Sequence, residues 1–312
     1  MPNGLAMKTQ VTKTKTHSSK IWRQKRWYGI LFVVPAFFFI FAFMVYPIVY
    51  SLYMSLHKFN FVYDSSPKFI GFANYVKAFQ DDSFLTALSN TFVFGSVYFV
   101  VIMVASLIMA LLLFHTNRFS GLFRTFTFLP IVVPVSLSAL VFMWILQENY
   151  GLLNSVLRDV LHLPDLALPW LNNGTTAMAS IIGVSLWSTI GFETILFLGG
   201  LQSISQEVLE AAEVDGAGGF KRIIYIILPN LRETYILTGI WAILHGLKVF
   251  VEPMVMTNGG PGNSTTVLYQ EIYHTAFSFF DMGYASAMAY ILGFIALLFA
   301  LLNFYVNRTK EA

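Results

Sequence analysis

The sequence predicts an all-α polytopic membrane protein with six transmembrane helices, and three observations predict it. The first is composition. Of the 312 residues 56% are hydrophobic, 17% aromatic and only 11% charged, against roughly a quarter charged in a soluble domain, and the mean hydropathy is +0.66. The second is six long stretches almost free of charge. The third is the gathering of lysine and arginine on one side of those stretches. Together they exclude a soluble globular enzyme, a disordered chain and a coiled coil. The absence of cysteine excludes a disulfide framework, a thiolate metal site and a cysteine nucleophile.

Crossing about 30 Å of hydrocarbon takes about 20 helical residues. The first stretch covers about residues 28–56 and contains Pro35 and Pro47. It is too long for the apolar region of a cleaved signal peptide, roughly 7–15 residues, and is expected to stay in the mature chain. The second covers about 84–114, with no charge between Asp82 and Arg118. The third, about 125–147, holds Pro130 and Pro134; the fourth, about 177–200, holds one acid, Glu193. The fifth, about 234–256, tolerates Lys248 and Glu252, and the sixth is about 284–306. Backbone amides in lipid must be bonded internally, which favours helices. The ten-residue alternation of a transmembrane barrel is not visible.

Basic bias sets the orientation. The arm of residues 1–27 holds Lys8, Lys13, Lys15, Lys20, Arg23, Lys25 and Arg26. The tail adds Arg308 and Lys310, and the loops on the same side add Arg118, Arg124, Lys221, Arg222 and Arg232, so 14 of the 19 basic residues share a side. The opposite loops hold Lys58, Lys68, Lys77 and Arg158 with eight acids. Both termini are therefore expected in the cytoplasm. A basic arm can also bind nucleic acid, but its place beside a span reads as a topology signal, and no nucleic acid partner is expected. The expected organisation is a cytoplasmic arm at 1–27, a membrane domain at 28–306 and a tail at 307–312.

The longest cytoplasmic loop, 201–231, reads as a short helix, a glycine break and a second helix ended by Pro229. Ser205 is a candidate N-cap with Glu207 in the first turn, and Gly216 suits the left-handed position past a helix end. Val208, Leu209 and Ala212 offer a narrow apolar stripe, and Ala211 and Ala212 allow close approach of another surface. Composition alone leaves docking and lipid-surface roles about even. The spacing separates them. Glu210-Ala211-Ala212, then Asp215-Gly216, and after nine residues Ile226-Ile227-Leu228-Pro229 resemble the EAA loop of ABC importer permeases. In that family this loop forms the coupling helix seated in a cleft of the ATPase subunit.

A second resemblance narrows the family. The run Thr257-Asn-Gly-Gly-Pro-Gly-Asn-Ser-Thr-Thr266, with Tyr273, Ala276, Phe277, Gly283 and Ala285, is similar to the carbohydrate-uptake permeases of maltose, glycerol-phosphate and multiple-sugar systems. So are Phe69-Ile-Gly-Phe-Ala-Asn-Tyr75 and Asn90-Thr91. The likeness is to the first of the two unlike permeases in such systems. It implies a type I importer fold in a bacterial plasma membrane, paired with a second permease, an ATPase dimer and an extracytoplasmic sugar-binding protein. ATP and Mg would belong to the ATPase partners, with no cofactor in this chain. Locally, Gly259-Gly260-Pro261-Gly262 is a tight turn closing the fifth span. The Asn-x-Thr sequons at Asn173 and Asn263 are read as chance matches in a bacterial chain.

Other chemistry is missing from the sequence. No Gly-x-x-x-x-Gly-Lys-Ser/Thr phosphate loop occurs, the six histidines have no metal-ligand spacing, and no catalytic set stands out. The chain is expected to be a transport subunit and not an enzyme. Polar residues within spans usually face a cavity, and the fifth span has most of them: His245, Lys248 and Glu252, the last two expected four residues apart on one helix face. They read either as an ion pair or as a sugar site. The resemblance favours the site, although His245-Gly-Leu-Lys-Val249 replaces the asparagine-rich run of the maltose system. Glu193 and Trp187 on the fourth span, Trp144 and Asn149 at the end of the third, and Trp241 are secondary candidates. The competing class is a stand-alone secondary transporter or channel, which would need its own ion coupling.

Overall fold

Long apolar helices dominate the computed structural model, which describes residues 28, 31–115 and 120–307. The basic arm, Arg118 and the tail residues Arg308 and Lys310 lie outside the described residues. Contacts divide the chain into two units, 1–53 and 54–312. The first contributes most of helix α1, Leu31–Ser55. Its aromatic residues stack at helical spacing, Phe37 on Phe41 at 6.4 Å and Phe39 on Phe43 at 6.0 Å. A π-turn at Phe41–Val45 ends with Tyr46 N–H bonded to the Phe41 carbonyl. It falls where Pro47 lacks the N–H that an α-helix would aim at Phe43.

The second unit starts with a short antiparallel pair, β1 (His57–Lys58) and β2 (Lys68–Phe69). Buried Asn74 ties it down by donating from Nδ2 to the carbonyls of Ser55 and His57, both at 2.9 Å. Asn74 lies on helix α2, Ala73–Ala78. Then follow α3 (Asp82–His115), α4 (Ser120–Val132), α5 (Val135–Ile145), α6 (Gly174–Ser203), α7 (Gln206–Val214) and a helical stretch α8 at 220–230. The last four are α9 (Arg232–Leu247), α10 (Val251–Met256), α11 (Leu268–Phe277) and α12 (Met282–Asn307). α3 packs on α6 and α9, α9 on α12, α4 on α6, and α5 on α10. α3 and α9 cross closely at two glycines: a Cβ on Gly246 would stand 3.1 Å from Gly95 Cα. Small residues at such a crossing let the backbones approach and gain dispersion contacts.

Two of the six expected spans are not single helices. The third bends by 100° between α4 and α5. Pro134 sits at the break with ψ 131°, and proline disfavours helical geometry at the residue before it. The fifth breaks between Leu247 and Val251. Lys248 caps the end of α9, and Phe250, at φ −147°, precedes α10. Pro253 explains this break. In a continuous helix its ring would meet the Val249 carbonyl and leave it unbonded, whereas in the first turn of a new helix no N–H is required of it. The expectation of Lys248 and Glu252 on one helix face is therefore corrected. The outward stretch 257–283, expected as a turn-rich loop, also contains a ten-residue helix, α11.

Candidate functional site

The two breaks face one cavity of about 400 Å³. Its wall takes Val133, Pro134 and Val135 from the α4–α5 bend, Ser188 and Thr189 from α6, and His245 with residues 248–252 from the α9–α10 bend. Unwound backbone at membrane depth is tolerated where it is buried in protein or lines a polar cavity, and both breaks meet that condition. Of the nine candidate substrate residues, counting Val249 and Trp241, four line this cavity: His245, Lys248, Val249 and Glu252.

A polar chain runs along this wall. Glu252 is 3% exposed and lines the cavity beside His245. Ser185 Oγ lies 3.2 Å from His245 Nε2. The His245 ring stacks on Trp241, with centroids 5.1 Å apart at 9°, and meets Tyr98 at 5.0 Å. Tyr98 O–H reaches Thr189 Oγ1 at 2.9 Å, and that hydroxyl donates to the Ser185 carbonyl. Glu252 Oε1 has no hydrogen-bond partner among the described residues. Lys248 is exposed and forms no ion pair with Glu252 among the described residues.

Trp241, stacked on His245, stands beside the cavity, and the other four candidates lie elsewhere. Glu193 is fully buried in α6 with neither carboxylate oxygen partnered among the described residues, and it does not line the cavity. Trp187 meets Phe142 edge-on at 5.1 Å. Trp144 stands exposed near the C-terminal end of α5, in a separate pocket. The Asn149 carbonyl accepts from Arg158 at 2.8 Å, which holds its loop. Sequence reasoning passed over Ser185, Ser188, Thr189 and Tyr98. Hydroxyls on an apolar helix carry no spacing signal, because they often bond their own backbone four residues back. Pro253 was the missed signal for the break itself.

The 201–231 loop has sharper geometry. Ser205 caps α7 by accepting from Val208 N–H at 3.4 Å. At the other end Ala217 N–H bonds Ala212 O and Gly216 N–H bonds Glu213 O, with Gly216 at φ +74°, a Schellman closure. Leu209 and Ala212 are buried, Leu209 against Leu201, Ile227 and Leu231. Val208 is exposed, so the expected three-residue stripe is divided between two faces. Glu210, Ala211, Asp215 and Val214 face outward with Phe220 beyond them. The second helix does not end at Pro229: Leu228, Pro229 and Asn230 form its last turn. Asn230 Nδ2 caps the Ile226 carbonyl at 2.7 Å. Asn90 Nδ2 bonds the carbonyls of Asn263 and Thr266, each at 2.9 Å, tying the glycine-rich turn to α3. No group of three or more metal-ligating side chains occurs among the described residues.

Four known proteins or families resemble the chain. Residues 102–311 match the family described as the binding-protein-dependent transport system inner membrane component. The chain is 33% identical to the lactose transport system permease protein LacF of Rhizobium radiobacter, over 92% of this chain and 97% of that one. It is 30% identical to the sulfoquinovosyl glycerol transport system permease protein SmoG of Agrobacterium fabrum, over 96% and 99%. A chain from the crystal structure of a bacterial ABC transporter involved in the import of the acidic polysaccharide alginate superposes with a TM-score of 0.81. The likeness covers 94% of this chain and all of that one, and at 20% identity it marks a shared fold.

Proposed function

Because the chain belongs to the family of binding-protein-dependent transport system inner membrane components, we propose that it is one permease of an ATP-driven importer whose solute is a sugar or oligosaccharide. It spans a bacterial plasma membrane with both termini in the cytoplasm. Residues 1–27 form a basic arm, 28–306 the permease domain and 307–312 a tail. Its partners are a second, unlike permease, a dimer of ATPase subunits that bind ATP and Mg, and an extracytoplasmic sugar-binding protein. It has no ATPase site of its own. Helix α7, with Glu210, Ala211, Asp215 and Gly216 on its open side and at its end, seats in the ATPase. Leu209 and the Leu228–Pro229 turn carry the movement to the spans. ATP-driven closure of the ATPases opens the cavity outward to take solute, and hydrolysis returns it inward.

The observation that carries this reading is the cavity between the two broken spans. Carboxylate oxygen Oε1 of Glu252 lacks a partner there, and sugar hydroxyls would supply one. His245, 3.2 Å from Ser185 Oγ, adds a ring nitrogen to the same wall, and Lys248 adds three donors. A site built to bond hydroxyls loses most when its own polar groups are removed. The test is uptake of lactose, maltose and trehalose by the complete complex in proteoliposomes. Glu252→Leu with Lys248→Leu should assemble and hydrolyse ATP at the basal rate, yet transport at least tenfold less. Full uptake by the double variant would sink the assignment of the site.

A further inference from the structure

The helices that bound the cavity also bound a second one. α5 and α10 both begin at the inner cavity, at Val135 and Val251, and both end at an outward pocket of about 420 Å³, at Trp144 and Met256. Six residues of α10 put the two sites about 9 Å apart. The outward pocket combines two uncovered aromatic faces with convergent polar groups. Trp144 is 68% and Tyr150 74% exposed. Gln147, Glu148, Asn172 and Thr257 complete its polar lining. The Glu148 carboxylate is held by Asn172 Nδ2 at 2.8 Å. The wall is preformed. Asn154, 1% exposed, donates to the carbonyls of Glu148 and Leu168 and accepts from Trp170 Nε1 at 2.7 Å.

We infer that this outward pocket is a saccharide subsite that takes one ring of a neutral sugar before it enters the inner cavity. The inference rests on the sugar reading above and deepens it. Three features select the ligand class. Aromatic faces stack on the C–H faces of a pyranose, and a fixed carboxylate and amides bond its hydroxyls, the usual division of labour in a small-molecule pocket. The lining contains one carboxylate and no lysine or arginine, so an acidic sugar would meet repulsion. A tryptophan serving only as an interfacial anchor needs none of the convergent polar groups around it.

The chain has no cysteine, which allows a direct test on the whole complex, nucleotide-free, in detergent. Met143→Cys reports the outward pocket and Ser188→Cys the inner cavity, each by its rate of maleimide labelling. The probes are an equimolar mixture of lactose, maltose and trehalose, and separately digalacturonate. The neutral mixture should slow labelling at Met143→Cys at least threefold, digalacturonate should not, and Trp144→Ala or Glu148→Gln should abolish the protection. Protection confined to Ser188→Cys would overturn the outer subsite while sparing the sugar reading. Protection at neither position would overturn both. Protection that survives both substitutions, or that appears only on adding the binding protein, would make the pocket a docking socket and overturn the proposal. Equal protection by digalacturonate would overturn the selection for neutral sugar.

Discussion

Gly216 sits at φ +74° with nothing within 4 Å of an added Cβ, so substitution there meets backbone strain and no clash. A β-branched residue in the left-handed region costs roughly 1–2 kcal/mol. Gly216→Val should leave the permease pair assembled and lower ATP-driven uptake at least tenfold, while Gly216→Asn, which tolerates this region, should recover most of it. Uptake assays beside size-exclusion profiles check this, and normal uptake by Gly216→Val would contradict a coupling role. At Glu271, on helix α11 outside the candidate spans, burial raises the carboxyl above its ordinary value, the charge of Asp81 adds to this and His274 opposes it. A raised carboxyl pKa stabilises the fold below the unfolded value of about 4.3, and that contribution is lost as pH rises through the folded value. Glu271→Gln should therefore raise the melting temperature at pH 7 and flatten its rise toward mild acid. Thermal melts across pH 4–8 check both. Gly216 was legible in the sequence because glycine after a capped helix has a stereochemical meaning of its own. Lys248 and Glu252 misled, because the four-residue rule presupposes a helix that does not break between them.

Spans were legible from charge-free length, which reports how far a segment reaches and not whether it is straight. Pro130 and Pro134 stood in plain view, yet both fit inside an uncharged stretch that met the length criterion. Pro253 acted alone, with no glycine or turn residue at 248–250 to mark the break. α11 was hidden for the opposite reason: ten residues are too few for a span, and it follows a glycine-rich turn. The break at 248–250 yields a prediction of its own. Proline disfavours a helix interior by about 3 kcal/mol relative to alanine, so Pro253→Ala lets α9 and α10 run together. That would bring Lys248 and Glu252 onto one face and remove one wall of the cavity. The variant should melt at the same temperature or higher and lose uptake at least tenfold. Unchanged uptake would mean that the break is incidental to transport.

Across the whole molecule, the apolar composition and the spacing of the 201–231 loop brought the fold and family within reach of sequence, because both are set by local pattern. The cavity was not within reach. It exists only where two bends on non-neighbouring spans meet beside α6, and no spacing within either span encodes that meeting. The sequence has no Gly-x-x-x-x-Gly-Lys-Ser/Thr phosphate loop, and the proposed importer therefore takes its driving force from ATPase partners. The most direct measurement is sugar uptake into proteoliposomes, comparing the complete complex with this chain and its partner permease alone. The account predicts uptake of neutral disaccharide only with ATP, the ATPase subunits and the binding protein all present. Uptake by the permeases alone, driven by a proton or sodium gradient, would contradict it.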